Sequence, residues 1–172
     1  MAKTKIKRED IHDIKDSKEL IFPKNYGEGT SFVVGDDDEN RLIVKYFLRN
    51  IDKKFIAKVY FGAKTQGPAS HVHGGAMAAV LDEAMGLAAW AAGFSVVAKT
   101  ISVDYISLLP LHTLATVETN VEKVDGRKIF MSAKLIDELG KVYCSSTGLY
   151  ITLPLGTFSA DGFHEELLKQ VL

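Results

Sequence analysis

Two adjacent acids lie in the middle of a strongly apolar segment of the chain. Asp82 and Glu83 interrupt "GGAMAAVLDEAMGLAAWAA", residues 74–92, which is rich in Ala, Leu and Met and is therefore predicted to be a helix. Ionised carboxylates are costly to bury unless they are paired or hydrogen-bonded. The two side chains point about 100° apart around a helix, so at most one faces a given site. The pattern alone leaves open whether one acid does chemistry or both are structural.

A glycine pair, Gly74-Gly75, marks the predicted start of this helix, and two histidines precede it. The first N–H groups of a helix lack internal partners and attract negative charge, and glycine lets another group approach them closely. The pair is suited to hold an anion or a polarised carbonyl oxygen, although a tight turn that only starts the helix explains it as well. His71 and His73 alternate on an extended chain without an obvious third ligand, so no metal site is expected. His73 is predicted to cap or orient the loop.

The spacing between the glycine pair and the first acid predicts a site shared by two chains. Gly74 and Asp82 are eight residues apart, which is about 12 Å along a helix axis. A donor to an oxyanion and an attacking group must both lie within about 3 Å of the reacting atom. One helix does not easily bring these positions together, whereas two antiparallel helices from two subunits do. We therefore expect a composite site in a dimer.

Length and composition fit one domain of an ordinary globular protein. The chain has 172 residues, 47% apolar and 25% charged, with a formal net charge of −1, so neither nucleic acid nor a membrane is an expected partner. Cys144 is the single cysteine, and we expect it to be a buried core residue. Residues 1–20 have no apolar signal core, and acids lie at the centre of the apolar helix, so a cytoplasmic protein is expected.

Alternating apolar and polar residues predict strands on both sides of the helix. After it come "TISVDYISL", "LATVETNVEKV", "KIFMSAKL" and "VYCSSTGLYITL", joined by short turns, with Asp125-Gly126 a strong hairpin signal. Before it come "RLIVKYFL" and "KFIAKVYFG". The predicted class is α+β, with one antiparallel sheet curled around one long central helix. A second copy of the chain would cover the remaining face and edges of this sheet.

The ends of the chain are predicted to lie outside this core. The predicted organisation is an N-terminal extension over residues 1–28, a domain over 29–153 and a C-terminal tail over 154–172. The N-terminal extension is predicted to be partly helical, with a charged helix over residues 5–20. The tail contains "FHEELLKQVL", which is predicted to be a short amphipathic helix, and "GDDDEN" near the start of the domain is predicted to be a solvated acidic turn.

The stretch "HVHGGAMAAVLDEAMG" resembles the His-Gly-Gly…Asp signature of hotdog-fold acyl-CoA thioesterases. The nine-residue step from His73 to Asp82 matches this signature. "TISVDYISLLPL" and "EKVDGRKIF" resemble the next strand and hairpin of the group related to the phenylacetyl-CoA thioesterases, and the likeness covers about residues 29–153. It implies a hotdog fold and hydrolysis of an acyl-CoA thioester to a free acid and coenzyme A. Coenzyme A enters as part of the substrate, and no separate cofactor is implied.

The resemblance also implies roles for individual residues. Asp82 corresponds to the catalytic acid, as general base or nucleophile, and Gly74 to a backbone oxyanion donor from the other subunit of a homodimer, which often forms a dimer of dimers. The candidate orienting groups are Gln66, His73 and Thr100, with Glu83 as a weaker reserve. The candidate substrate contacts are Gly75, Arg127 and Lys128. The last two are candidates for the phosphates of coenzyme A, although an exposed turn with solvated charges explains them equally well. The acyl group is left open, with Met77, Leu81, Met85 and Trp90 as candidate lining or plain core.

Two departures from the family pattern keep other functions open. Many relatives have Asn or Gln in the loop before the motif, where this chain has "QGPAS" with Gln66 as the nearest candidate. Relatives often carry Thr or Ser on the strand after the helix, where this chain has Ala98. Thr100 lies two residues further on, which in a regular strand is the same side but about 6–7 Å away. Either Thr100 substitutes after a register shift, or the helper is missing. A non-catalytic acyl-CoA sensor is therefore the alternative function. A hotdog hydratase or dehydratase has less support, because its usual pairing of His and acid is not found.

Overall fold

The helix predicted around the two acids is the centre of the structure. This structure is a computed structural model, and it describes residues 6–22, 25–26, 29–34, 38–154, 157 and 169–171. Helix α1 spans Gly74–Ala91. One side of α1 is buried in the main core, where Leu81 and Met85 are fully covered. The other side is half-exposed and carries small residues together with both acids. Within the described residues, no helix has the length and apolar character needed to cross a bilayer.

The described residues form nine strands. They are β1 (Ser17–Leu20), β2 (Asn25–Tyr26), β3 (Gly29–Thr30), β4 (Leu42–Arg49), β5 (Phe55–Phe61), β6 (Val96–Tyr105), β7 (Leu114–Asp125), β8 (Lys128–Ile136) and β9 (Val142–Thr152). Seven of them form one sheet in the order β1-β4-β5-β7-β8-β9-β6, while β2 and β3 pair separately. Every pairing is antiparallel, and α1 packs against β5 to β9. The predicted α+β architecture is confirmed.

Strands β4 and β5 are buried on both faces, which explains why they contain almost continuous apolar runs. Their inner face joins the core around α1. On the outer face, Ile43 of β4 and Tyr60 of β5 pack with Ile11, and Ile6 and Leu114 lie at the margin of this second cluster. The segment before β1 therefore covers part of the outer sheet surface and is held there by apolar burial.

The predicted charged helix over residues 5–20 is wrong for the described part of this segment. Arg8–Asp10 forms only a short 3-10 turn, and Ser17–Leu20 is strand β1 at an edge of the main sheet, paired with β4. The charges have partners that the sequence does not reveal, since the Arg8 guanidinium bonds Glu19 at 2.9 Å and the Val44 carbonyl at 2.6 Å. Leu20 is fully buried. Tertiary pairing thus overrides local helix preference here.

Half of the predicted acidic turn and most of the predicted C-terminal helix lie outside the described residues. Of the tail, residues 169–171 are helical and lie against the end of β1. The Gln170 side chain exchanges two hydrogen bonds with the backbone of Ile21, at 2.6 and 2.7 Å. Of the acidic turn, Asp38 accepts a hydrogen bond from Lys64 at 2.7 Å. The predicted boundaries at residues 29 and 153 stay predictions.

Candidate active site

The loop before α1 is fixed by its own backbone hydrogen bonds. The N–H of His73 donates to the Thr65 carbonyl at 2.7 Å, and that of Val72 donates to the Leu109 carbonyl at 2.8 Å. His73 is then the N-cap of the helix, with its ring Nδ1 accepting from the Gly75 N–H at 2.8 Å. An added Cβ on Gly75 would lie 2.9 Å from this nitrogen, so a larger residue would displace the ring from its capping position. The predicted capping role of His73 is confirmed.

Gly74 carries the open N–H group at the start of the helix. The His73 ring accepts from the N–H of Gly75, and no acceptor among the described residues forms a hydrogen bond with the N–H of Gly74. The carbonyl of Gly74 accepts a hydrogen bond from the Tyr105 hydroxyl at 3.1 Å. A Cβ on Gly74 would lie 3.1 Å from the Tyr105 ring, which explains the glycine by close packing. The open N–H at the positive helix end has the character of an oxyanion donor.

Asp82 lies half-buried on the less covered side of α1, beside strand β9. The Tyr150 hydroxyl is 2.7 Å from Oδ1 of Asp82 and 3.0 Å from its backbone carbonyl. Among the described residues, no cationic side chain forms an ion pair with Asp82, and no group donates a hydrogen bond to its Oδ2. One carboxylate oxygen is therefore held by a neutral donor, while the other is open to a water or a substrate.

Glu83 turns to the other flank of the helix, toward β4. Its Oε1 accepts a hydrogen bond from the Tyr46 hydroxyl at 2.5 Å. Burial raises the pKa of Glu83 from its ordinary value of 4.5 to about 7. The hydrogen bond from Tyr46 lowers this pKa in part, and the charge of Asp82 raises it further. The two acids therefore have different partners on different strands, as their angular separation on a helix requires.

The expectation that Thr100 faces the same side as Ala98 is wrong. Ala98 pairs with Tyr150, but Thr100 pairs with Leu149, because the register shifts between these two positions. Directly opposed residues in antiparallel strands share a face, so this bulge turns Thr100 to the outer side of the sheet, where it is exposed. Thr100 therefore does not approach Asp82 within the chain, and Tyr150 supplies the nearby hydroxyl instead.

Gln66 and the cap of the helix share one groove. Its volume is about 400 Å³, and its lining consists of Phe32, Arg41, Leu42, Lys64, Thr65, Gln66, His73, Gly75, Ala76 and Ala79. The structure thus brings together three of the predicted site residues, with Gln66 itself exposed. Asp82 is absent from this lining, because it lies two helical turns further along α1.

Arg127 and Lys128 lie at the tip of the β7–β8 hairpin, where Gly126 takes a φ of 56° as the predicted turn requires. The Arg127 guanidinium donates to the carbonyl of Thr152 at 3.1 Å, and Thr152 pairs with Val96 at the start of β6. Gly74 lies at the far end of β6, beside Tyr105. Within one chain, the two cations are therefore near the Asp82 end of β6 and remote from Gly74.

Several other predicted residues form the core. Met77, Leu81, Met85 and Trp90 are all at most 7% exposed and belong to the main cluster. Cys144 is fully buried with its Sγ 4.0 Å from Sδ of Met77, and burial raises the pKa of its thiol to about 12. Cys144 is thus the inert core residue that was predicted.

The three tyrosines at the site were missed by the sequence reasoning. Tyr46, Tyr105 and Tyr150 contact Glu83, Gly74 and Asp82, respectively. Period-two alternation in "TISVDYISL" sets Tyr105 on the face of Ile101 and Val103. In "VYCSSTGLYITL" the face of Tyr150 carries mainly small residues, so its apolar content does not mark it as the inner face. The partner that each hydroxyl reaches depends on how the strands lie over the helix, which alternation does not specify.

Comparisons with known proteins show which proteins the chain resembles. Residues 69–144 match the thioesterase superfamily. The chain is similar to the mouse acyl-coenzyme A thioesterase THEM4, with 29% identity over 139 residues, which cover 80% of this chain and 55% of that protein. The chain therefore spans about half the length of the curated relatives that it matches.

Solved structures give the same result for the fold. A crystal structure of a thioesterase superfamily protein superposes with a TM-score of 0.61 at 28% identity, covering 69% of this chain and 58% of that one. A hypothetical thioesterase from Streptococcus pneumoniae, solved with coenzyme A, has a TM-score of 0.56 at 16% identity and covers 58% and 78%, respectively. The predicted hotdog fold and the family resemblance are confirmed.

Proposed function

We propose that this chain, whose residues 69–144 match the thioesterase superfamily, hydrolyses acyl-CoA thioesters to a free acid and coenzyme A. The observation that carries the proposal is the state of Asp82. Its carboxylate is half-buried in an apolar helix, is held at one oxygen by Tyr150, and has its other oxygen open among the described residues. The names of the curated relatives, which are acyl-coenzyme A thioesterases, support the same reaction.

The site is composed of two chains. Gly74 lies beside Tyr105, at one end of β6. Asp82 lies beside Tyr150, which pairs with Ala98 near the other end of β6. Because β6 is an edge strand of the sheet, its outer edge is available for another β6. Two-fold antiparallel pairing of these edges sets the Tyr105 end of one chain beside the Ala98 end of its partner. Gly74 of one subunit then approaches Asp82 of the other.

The exposed residues of this edge support such a homodimer. Large apolar residues that are 39–62% exposed in the single chain lie on β6, at Val97 and Tyr105, and just after it, at Ile106 and Leu108. Burial of such side chains favours association. Lys99 and Asp104 stand near opposite ends of β6, so antiparallel pairing also sets unlike charges near each other. A further pairing of dimers into a tetramer remains a prediction from the family resemblance.

Hydrolysis requires a nucleophile, a site for the developing oxyanion and a path for one proton. In our proposal the carbonyl oxygen of the thioester accepts a hydrogen bond from the Gly74 N–H, and negative charge accumulates there as the carbonyl carbon becomes tetrahedral. Asp82 either removes a proton from the attacking water or attacks the carbon itself. In the first route, collapse of the tetrahedral species expels the coenzyme A thiolate and releases the acid, and the thiolate takes up the proton that Asp82 removed from the water. In the second route, collapse leaves an acyl anhydride on Asp82, and a water molecule then hydrolyses it, which frees the acid, restores the carboxylate and supplies the proton of the thiol.

The remaining predicted residues have supporting roles. Arg127 and Lys128 lie at the Asp82 end of β6 and can reach the phosphates of coenzyme A with charge-assisted hydrogen bonds. Gln66 and Gly75 line the groove at the helix start, where the partner subunit would receive the thioester end of the substrate. His73 acts indirectly, because its ring fixes the first turn that presents Gly74.

Release of coenzyme A from a panel of short, long and aromatic acyl-CoAs tests the proposal. We expect the purified chain to liberate the thiol catalytically from at least one class, with one equivalent of free acid. Tight binding across the panel without any turnover would instead indicate a sensor. Hydration of crotonyl-CoA without hydrolysis would indicate the hydratase alternative. Either result would overturn the proposed function.

A further inference from the structure

Tyr150 is a buried tyrosine whose hydroxyl lies beside the carboxylate of Asp82. Its side chain is 2% exposed, and it belongs to β9, 68 residues away from Asp82 in the chain. The hydroxyl is within hydrogen-bond distance of two oxygens of Asp82, at 2.7 Å for Oδ1 and 3.0 Å for the main-chain carbonyl. A phenol has one hydrogen to donate, so it donates to one of these oxygens at a time. Either hydrogen bond holds the hydroxyl beside Asp82.

Two glycines make room for the Tyr150 ring. A Cβ on Gly148 would lie 2.6 Å from Cε2 of the ring, and one on Gly86 would lie 3.7 Å from Cε1. Gly148 is two residues before Tyr150 on the same face of β9, so the ring lies back over it and points its hydroxyl at the helix. Any side chain on Gly148 would force the ring to move. The position of the hydroxyl is therefore set by the lack of a side chain at this neighbour.

The phenol remains a donor at all physiological pH values. Burial and the negative charge of Asp82 raise the pKa of Tyr150 far above its usual value. Tyr150 therefore does not compete with Asp82 for a proton. A hydrogen bond to Oδ1 restricts the rotation of the carboxylate and leaves Oδ2 as the oxygen that faces water or substrate.

We propose that Tyr150 is the positioning residue for Asp82, holding one carboxylate oxygen so that the other is aimed at the reacting centre. This inference rests on the proposed function, because it assigns Tyr150 a part in the reaction of Asp82. It predicts that loss of the hydroxyl affects turnover far more than substrate binding, since both hydrogen-bond contacts of the Tyr150 hydroxyl are to Asp82.

Tyr150→Phe removes the hydroxyl and keeps the ring, and Tyr143→Phe is its matched control. Tyr143 lies on the same strand and also donates to an aspartate at 3.0 Å, but that residue, Asp137, lies in the connection between β8 and β9 and not on α1. We expect Tyr150→Phe to lower kcat about 10- to 100-fold, as for a displaced catalytic group, with KM within about twofold. Tyr143→Phe should leave both constants unchanged. A kcat of Tyr150→Phe equal to that of the wild type would overturn the inference.

Gly148→Ala provides a second approach, because it keeps the hydroxyl and displaces the ring. If positioning is the role of Tyr150, Gly148→Ala lowers kcat as well, and the double variant with Tyr150→Phe is no slower than the slower single variant. Additive losses in the double variant would show that the two residues act separately and would contradict the inference.

Two further measurements separate this inference from the proposed function. Asp82→Asn assayed beside these variants reports on the function alone, so normal hydrolysis by that variant would overturn the function directly. A crystal structure of Tyr150→Phe reports on positioning without any turnover. An Asp82 carboxylate that has rotated from its present orientation supports the inference, and an unmoved carboxylate would overturn it.

Discussion

The hydroxyl of Tyr46 lies 2.5 Å from the carboxylate of Glu83, about 100° around α1 from the contact between Asp82 and Tyr150. Each of the two adjacent acids is thus paired with a tyrosine from a different strand. Tyr46 is itself buried and packs edge to face on Phe22, with ring centroids 5.1 Å apart. This arrangement explains how an apolar helix carries two carboxylates at its centre, since each has a hydrogen-bond donor from the sheet.

The raised pKa of Glu83 makes folding stability depend on pH. The folded state holds this proton up to about pH 7, whereas the unfolded chain releases it near 4.5. Between these values the folded state binds more protons, so the free energy of unfolding falls as pH rises. The loss is about 3 to 4 kcal/mol at most, since each pKa unit corresponds to about 1.4 kcal/mol. Glu83→Gln should flatten this fall and be more stable than the wild type near pH 8, as measured by urea unfolding.

Glu138→Gln is the control for this prediction, because it removes the same formal charge from an exposed turn. We expect it to retain the pH dependence of the wild type. A Glu83→Gln variant whose unfolding free energy falls as steeply as that of the wild type between pH 5 and pH 8 would contradict the account of Glu83.

The oxyanion role of Gly74 rests on one N–H group, which proline lacks. Gly74 is the first residue of α1, where proline is well tolerated, and His73 before it has an extended ψ of 135° that is compatible with a following proline. Gly74→Pro should therefore fold and lose about 10²- to 10³-fold in kcat. Steady-state kinetics with an accepted acyl-CoA measures this loss.

Gly74→Ala is the matched control, since it adds a Cβ against the Tyr105 ring but keeps the N–H. We expect Gly74→Ala to retain most of its turnover. Equal losses in the alanine and proline variants would assign the effect to packing against Tyr105 and would exclude the N–H of Gly74 as the donor.

His73 should contribute mainly to the stability of the helix start. Loss of an N-cap side chain costs about 1 kcal/mol, so His73→Ala should lower the free energy of unfolding by that amount. His73→Asn supplies another good cap and should recover it. Thermal and denaturant unfolding measure both changes. If His73→Asn is as stable as the wild type but inactive, the ring has a direct part in the reaction that the capping account does not include.

The composite site predicts that two inactive variants complement each other. A subunit with Asp82→Asn keeps a normal Gly74, and a subunit with Gly74→Pro keeps a normal Asp82. In a mixed dimer, one of the two sites then has both groups intact, and about half of the activity per dimer returns. Co-expression with two affinity tags isolates the mixed dimer for assay, and its mass should be twice that of the 18.9 kDa chain.

A mixed dimer as inactive as its parents would mean that both groups act within one chain. A wild-type chain that is monomeric at assay concentrations and fully active would contradict the shared site as well.

The helix, its cap and most of the sheet could be predicted because their signals are local. The apolar run around Asp82, the glycine pair and the alternation in the later strands are each contained in a short window of sequence. Strand β1 was not predictable in this way, since Lys18 and Glu19 suit a helix and only the pairing with β4 makes them a strand.

The details of the site depend on contacts that are distant in sequence. Alternation implies that Thr100 and Ala98 share a face, and one bulge between them reverses this. Likewise, Tyr150 reaches Asp82 across 68 residues and only because Gly148 leaves space for its ring. Sequence patterns specify which face a side chain occupies in a regular strand, but they do not specify bulges or the reach of a particular hydroxyl.

The turnover of Asp82→Asn with an acyl-CoA that the wild type hydrolyses tests the central claim most directly. Asparagine keeps the shape of the side chain and an oxygen that can accept from Tyr150, so the fold should be retained, as checked by unfolding curves. We expect kcat to fall by about 10²- to 10⁴-fold, as for loss of a general base, while the neighbouring Glu83→Gln stays active. An Asp82→Asn variant that folds normally and hydrolyses the substrate at close to the wild-type rate would contradict the account.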